Sequence, residues 1–536
     1  MLVLLPFTRG ETFTKGLDDF AFASYYQNNM VLQMEPYRAV IWGYGTIGAT
    51  VNISLIQDVY STKVRAGPTG KGVWSVTLNS HAAGGPFMIQ GVQDYYGMLH
   101  WILLKGVLFG DVWVCGGQSN MQFTVSMLEN PAKEVELASK YPDIRLLTVA
   151  ELISQEPEYD IERLELGWSL PSNESLNGGT WSHFSAVCWI YGRHLYDALQ
   201  VPIGLVASSY GGTAVEAWSS PQALKECGLE RSNKIRGNSG INPGAMVCQA
   251  MEFQPYRLKI TTRFGDRNSN SVLWNAMIHP LLNMTIKGTI WYQGEQNFHY
   301  HNAEYACSFP AMIKDWRKKW HEGTGGQTHR EFPFGFVQLS TVNSTDDGCF
   351  SLIRWHQTAD IGYAPNVKMP NTFMAVAMDL PDNESPFGSI HPRDKDDVAK
   401  RLVVGALNVG YGRNVEFQGP FPESVIETAN NHLLVTYPSK ERIIVKERGS
   451  FQVCCTSPCN ISEPSPSPSW LWTPIVSHDL YSITLDTRGC TNSAESPKML
   501  RYAWALTPCP FKQCSVYNEC DLPAPPFVIP INHLSL

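Results

Sequence analysis

Ser119 lies between Gln118 and Asn120 in GDVWVCGGQSNMQF (residues 110–123), directly after a run of strand-forming residues. A serine in that place is commonly a turn residue. It becomes a nucleophile only if a base takes its proton and nearby donors hold the oxyanion that forms on a substrate carbonyl. Candidates for these parts recur at the ends of two other apolar runs, SSYGGT (208–213) and WYQGEQN (291–297). The Ser119 amide, a backbone N–H of Gly211 or Gly212 and the side-chain amide of Gln293 would make three oxyanion donors, and glycine there leaves the substrate room to approach. The alternative for SSYGGT is a plain strand-to-helix turn. Glu295 reads either as an exposed charge or as a carboxylate that orients Gln293. For the base, His391 in GSIHPRDK follows the last apolar run and precedes a helical pattern, with His279, His299, His301 and His356 as rivals on spacing alone.

These residues need a scaffold that brings strand ends together. GVLFGDVWVCGG (106–117), IRLLTVA (144–150), IGLVASSYGG (203–212), IKGTIWYQGE (286–295), FGFVQLS (334–340) and NTFMAVAMDL (371–380) are apolar enough to be buried on both faces, as parallel strands are. Between them, Tyr305, Phe309, Met312, Ile313, Trp316 and Trp320 keep helical spacing, as do Val398, Leu402, Val403 and Ala406. The pattern predicts a doubly wound α/β sheet with its chemistry at the carboxyl ends of the strands.

Flanking this core the rhythm has period two. In ATVNISL, Val51, Ile53 and Leu55 alternate with Asn52 and Ser54, and Gly-rich turns separate such short strands, as in a β-sandwich. Short strands return after Val415 in HLLVTYP, ERIIVKE, LYSITLDT and MLRYAWAL, with a Pro/Ser stretch at 462–470 expected as a stiff exposed loop. The expected organisation is an N-terminal segment (1–19), a β-sandwich-like domain (20–105), an α/β catalytic domain (106–414) with an atypical insertion at 231–270, and a Cys-rich β region (415–536). MLHWILLKGVLFGDVWV is the longest apolar stretch, but Lys105 and Asp111 would be costly in lipid, so it reads as two strands and no transmembrane helix is expected.

The chain of 536 residues carries 41 basic and 49 acidic side chains, 41 − 49 = −8, without a Lys/Arg-rich run, which argues against nucleic acid as a partner. Its 16 Trp, 22 Tyr and 23 Phe are compatible with sugar-binding surfaces as well as with a core. Seven of the 13 cysteines cluster from Cys454 to Cys520, which suggests disulfides there, and the odd total leaves at least one thiol unpaired. Sequons at Asn52, Asn173, Asn283, Asn343, Asn383 and Asn460 are a second sign of an oxidising, glycosylating compartment. No zinc-type pair of CxxC motifs occurs, and no metal is expected. The opening MLVLLPFTRG has an apolar run short of a signal-peptide core, so a lysosomal or secreted location and a cytosolic form both stay open.

GDVWVCGGQSNM, GLVASSYGGTAVEAWSS, LWNAMIHPL, WYQGEQN, IRWHQTADIGY and MDLPDNESPFGSIHPRDK occur in this order, and together they resemble the sialate O-acetylesterases, serine esterases of SGNH type. The resemblance runs from about Phe22 to LPAPPF near the C-terminus. It implies an SGNH-hydrolase-like fold, removal of 9-O acetyl groups, with 4-O as a further position, from sialic acids that are free or on glycoconjugates, and no cofactor. It matches Ser119 to the nucleophile, His391 to the base, and Gly212 and Gln293 to the oxyanion positions. Gln118, Asn120, Gly211, Glu295 and Asn297 beside them are expected to bind substrate or support the site, and Arg354 and Arg393 are candidates for the sialate carboxylate, although each reads better as a surface or structural arginine. The family's usual Asp three residues before the histidine is Gly388 here. That leaves a backbone carbonyl near Gly388 or Ser389, or Asp394, to orient the ring; Asp394 reads better as the cap of the following helix. A binding protein without catalysis, and an esterase of other acetylated polysaccharides, are the competing readings.

Overall fold

The computed structural model describes residues 20–230 and 266–533, apart from 299, 344–347, 429, 447–448, 456, 464, 466 and 493–495. The expected N-terminal segment and all of the insertion except Asp266–Asn270 lie outside the described residues.

Two small sheets form the first layer. One holds Ala21–Phe22, Val40–Tyr44, Gly72–Thr77 and Arg65–Ala66; the other is built on the antiparallel pair β1 (Gly84–Tyr95) and β2 (Met98–Gly117). In Thr50–Leu55, which joins β1, Val51, Ile53 and Leu55 are buried while Asn52 and Ser54 are partly exposed, as period two requires. β2 corrects an expectation, since it is one strand of 20 residues where two were expected. It bends at Gly106, whose φ of +69° suits glycine and whose Cα lies against Asn29. Beyond the bend β2 stays paired with β1 as far as Phe109 and from Asp111 becomes the centre of the main sheet.

That sheet adds β3 (Ile144–Val149), β4 (Leu164–Ser169), β5 (Ile203–Ser209), β6 (Gly288–Tyr292), β7 (Phe334–Gln338) and β8 (Thr372–Val376), in the order β4-β3-β5-β2-β6-β7-β8. All neighbours are parallel except β4, an antiparallel edge. Helices cover both faces. Cys115 of β2 is disulfide-bonded to Cys188 of α2 (Ala186–Leu199), which follows the one-turn helix α1 (Ser119–Gln122). The next residue, Gly116, pairs with Trp291 of β6 and so faces the other side, where Trp291 meets Trp316 of α3 (Tyr305–Gly323). All six apolar residues that predicted α3 are buried.

The Pro/Ser stretch is not the exposed loop expected: Ser465 is buried and accepts from Gln452, and Trp470 enters a strand. Three bridges lie in the C-terminal region (Cys454–Cys459, Cys455–Cys490, Cys509–Cys514), a further one joins Cys227 to Cys307, and Cys520 is free and exposed.

Arg354, near the end of α4 (Gly348–His356), fastens this region to the core. Its guanidinium is wholly buried and donates to the carbonyls of Leu339 and Ser340 on one side and Ala505 and Leu506 on the other, over the ring of Phe350. The expectation that Arg354 binds a substrate carboxylate is therefore corrected, because no ligand reaches it. Among the described residues no helix is long and apolar enough to cross a membrane.

Candidate active site

Gly117 ends β2 in register with Ser209 of β5 and Tyr292 of β6, so the three polar strand ends converge on one crevice. A Cβ at Gly117 would begin 2.2 Å from the Tyr292 carbonyl, which accepts the Gln118 N–H at 3.0 Å. That close approach lets the chain turn at once into α1, with Ser119 partly exposed at its first position.

His391 comes from the loop between β8 and α5 (Asp396–Gly405), and its Nε2 lies 2.9 Å from Ser119 Oγ. Its Nδ1 lies 2.8 Å from the carbonyl of Phe387, an acceptor only, which assigns the proton to Nδ1 and leaves Nε2 to accept from the serine. Asp394 is corrected as a third triad member: its Oδ1 accepts the Asp397 N–H at 3.1 Å and serves the start of α5. Arg393 is corrected as a carboxylate clamp. Its fork grips Asp382 at 2.7 and 2.9 Å and its own N–H bonds the same carboxylate, closing the loop that carries His391.

The oxyanion expectation changes in one member. Gln293 is fully buried, and its Nε2 donates to the Thr213 carbonyl (3.0 Å) and Asn297 Oδ1 (2.8 Å), while its Oε1 accepts from Tyr305 (2.9 Å). Both of its N–H groups are spent, as a buried amide requires, and none remains for a substrate. Asn297 is equally enclosed, holding Glu216 and Val215, and Gly211 gives its N–H to Gln122 Oε1 at 2.9 Å. The N–H groups of Ser119 and Gly212 have no acceptor among the described residues. Neither has Gln118 Nε2, because the backbone N–H groups of Gly294 and Gln296 fix the oxygen end of that amide on the neighbouring loop.

Asn120 ties the turn of Ser119 to the loop of His391. It donates to Glu295 Oε1 (2.6 Å) and the Ile390 carbonyl (2.8 Å), and accepts from Lys395 Nζ (2.6 Å). Glu295 is thus neither exposed nor bonded to Gln293, and burial raises its pKa. Lys395, pushed down to about 7 by burial, was not singled out from sequence, although it stands four residues after His391. Trp181 is a second unforeseen member. Its ring meets that of His391 edge-on at 5.2 Å, from a backbone with φ of +60°, where a bulky side chain is strained. Of the rival histidines, His301 pairs with Glu216, His356 with Asp360 and His279 with the Glu158 carbonyl; His299 lies outside the described residues.

Burial, with Lys395 nearby, depresses His391 to about 4 against the Phe387 bond, so the ring is uncharged at neutral pH. Protonation would remove the base. The acid limb of kcat/KM is accordingly expected near pH 4, activity falling as pH falls through it, and a limb at 6 to 7 in a pH–rate profile would contradict this assignment. Between pH 6.5 and about 4 the unfolded chain takes up a proton that the folded ring refuses, so this residue also makes stability fall with falling pH.

An α/β sheet with a serine hydroxyl and an uncharged imidazole in contact at its carboxyl edge has the arrangement of a serine esterase. The chain belongs to the sialate O-acetylesterase family. It is 46% identical over 524 residues to the mouse sialate O-acetylesterase, covering 96% of this chain and 95% of that protein. It is 45% identical over 517 residues to the human one, covering 95% and 92%. The sialate O-acetylesterase C-terminal domain model matches residues 423–531. A carbohydrate acetylesterase from Xanthomonas citri shares the fold, with a TM-score of 0.74 at 23% identity over 95% of this chain and 99% of that one.

Proposed function

We propose that the protein hydrolyses O-acetyl esters of sialic acids through an acetyl-enzyme on Ser119. The observation that carries this reading is the 2.9 Å contact between Ser119 Oγ and His391 Nε2, with the other ring nitrogen held on a carbonyl. His391 takes the serine proton as Oγ bonds the acetyl carbon. The charge moves onto the carbonyl oxygen, and the N–H groups of Ser119 and Gly212 and Nε2 of Gln118 receive it. Collapse of this intermediate breaks the bond to the sugar oxygen, which takes the proton from His391. Water then attacks the acetyl-enzyme with His391 again as base, releasing acetate and restoring the serine. The ring shuttles one proton without needing a carboxylate partner, since what Nδ1–H requires is a fixed acceptor and Phe387 supplies it.

Sialic acid as the sugar rests on the family. Five disulfides among the described residues support a lysosomal or secreted location, as do six sequon asparagines that are exposed or partly exposed. Comparing wild-type rates on O-acetylated sialic acid and on acetylated xylan tests the substrate. A clear preference for the sialate is expected. Preference for xylan would reassign the site to plant-type polysaccharide, and binding without turnover of either would leave a lectin-like module.

A further inference from the structure

Arg354 is buried, the charge of Arg393 is paired with Asp382 through Nε and Nη2, and Lys395 is enclosed with Asn120, so each of these cations already has a partner in the fold. Arg267 is different. It is exposed, and no described residue forms an ion pair or hydrogen bond with its guanidinium. It lies over the ring of Tyr210 at 5.5 Å and against Gly212, where a Cβ would begin 3.1 Å from Nη2. Tyr210 and Gly212 bracket Gly211, whose own Cβ would begin 3.3 Å from Ser119 Cβ. With successive Cα atoms 3.8 Å apart, these contacts place the guanidinium at most about 13 Å from the Ser119 Cβ, a gap that one acidic monosaccharide bridges once the hydrogen bond at one end and the bond to Oγ at the other are counted.

The position is held by its neighbour. Asn268 donates to the Gly212 carbonyl (3.1 Å) and accepts the Ala214 N–H (2.8 Å), fastening Arg267 to the loop that carries the Gly212 donor. The acids nearby are otherwise engaged. Asp266 accepts the Asn268 N–H at 3.0 Å, and Glu151 accepts from Gln122 on the inner side of the crevice. Burial, with Glu165 nearby, raises Glu151 to about 7 although the charge of Arg267 pulls it down, so this carboxyl is a counter-charge to Arg267 above that pH and is mostly neutral below it.

We propose that Arg267 anchors the substrate's carboxylate, making it a specificity-determining residue that selects acidic O-acetylated sugars over neutral acetate esters. The inference rests on the esterase reading above and adds the group that recognises the acid. A planar guanidinium suits a carboxylate because it can donate two parallel N–H bonds.

The test measures kcat and KM on O-acetylated sialic acid, its C1 methyl ester and 4-nitrophenyl acetate, for wild type, Arg267→Ala and Arg267→Lys. Arg267→Ala is expected to lose on the order of 10- to 100-fold in kcat/KM on the free acid, chiefly through KM, and far less on the two neutral esters. Wild type should disfavour the methyl ester by a similar factor and Arg267→Ala should not, while Arg267→Lys recovers part of the loss. Equal losses on all three substrates, or an undiminished preference of Arg267→Ala for the free acid, would overturn the assignment and leave the esterase standing. Wild type that cleaves 4-nitrophenyl acetate but neither sialate ester would overturn the substrate reading together with it.

Discussion

Ser119→Ala is expected to lower kcat on any acetate ester by roughly 10⁵- to 10⁶-fold while leaving the thermal midpoint unchanged, because one partly exposed hydroxyl is lost and nothing else. The expectation follows from the geometry at the end of β2. Gly117 is packed on the Tyr292 carbonyl and Gln118 is bonded at both its backbone N–H and its side-chain oxygen, so the turn that presents residue 119 does not depend on the serine side chain. His391→Ala should cost about as much, and the double variant little more than either alone, since the hydroxyl and the imidazole act as one unit. Steady-state kinetics with 4-nitrophenyl acetate reads all three. Retention of a tenth or so of the activity by Ser119→Ala would place the nucleophile elsewhere.

Arg354→Leu is expected to act on stability. Removing the guanidinium strands four carbonyls that lie between the α/β core and the C-terminal region, at a cost of about 3–5 kcal/mol. In a chain of several packed units this should appear as a fall on the order of 5–10 °C in the thermal transition, followed by differential scanning fluorimetry. If instead the transition stood still while KM for the acetylated sialate rose, Arg354 would be meeting substrate and the packing described for it would be wrong.

How far the sequence foretold these features depends on the range of the interaction behind each. The six core strands and α3 were legible because continuous apolar runs and a 3.6-residue repeat are local patterns. β4 was not, since LELGWS is an edge strand with little apolar continuity and only its pairing with β3 reveals it. Lys105 and Asp111 excluded a membrane span, but the break they suggested between strands is a bend at Gly106 in a single one. Ser119 and His391 were named from blocks at strand ends. Their 2.9 Å separation spans 272 positions and had no local sign.

Donor accounting escaped the sequence for the same reason. Gln293 and Gln118 are both amides at strand ends, and only the placement of Tyr305, Thr213 and Asn297 spends the first and spares the second. For Arg354 and Arg393 a structural role and a carboxylate-binding role are indistinguishable by residue type, and the choice is made by the distant carbonyls of Ala505 and Leu506 and the carboxylate of Asp382 that surround them. Arg267, in a stretch that matched no pattern, became visible only through its contact with Gly212.

The central claim is that the Ser119 hydroxyl is made nucleophilic by His391. Its most direct measurement is covalent labelling by a serine-directed phosphonate, with the modified peptide located by mass spectrometry in wild type and in His391→Ala. Stoichiometric modification of Ser119 in wild type and its near disappearance in His391→Ala are predicted. Labelling at another serine, or equal labelling of both proteins, would contradict the account.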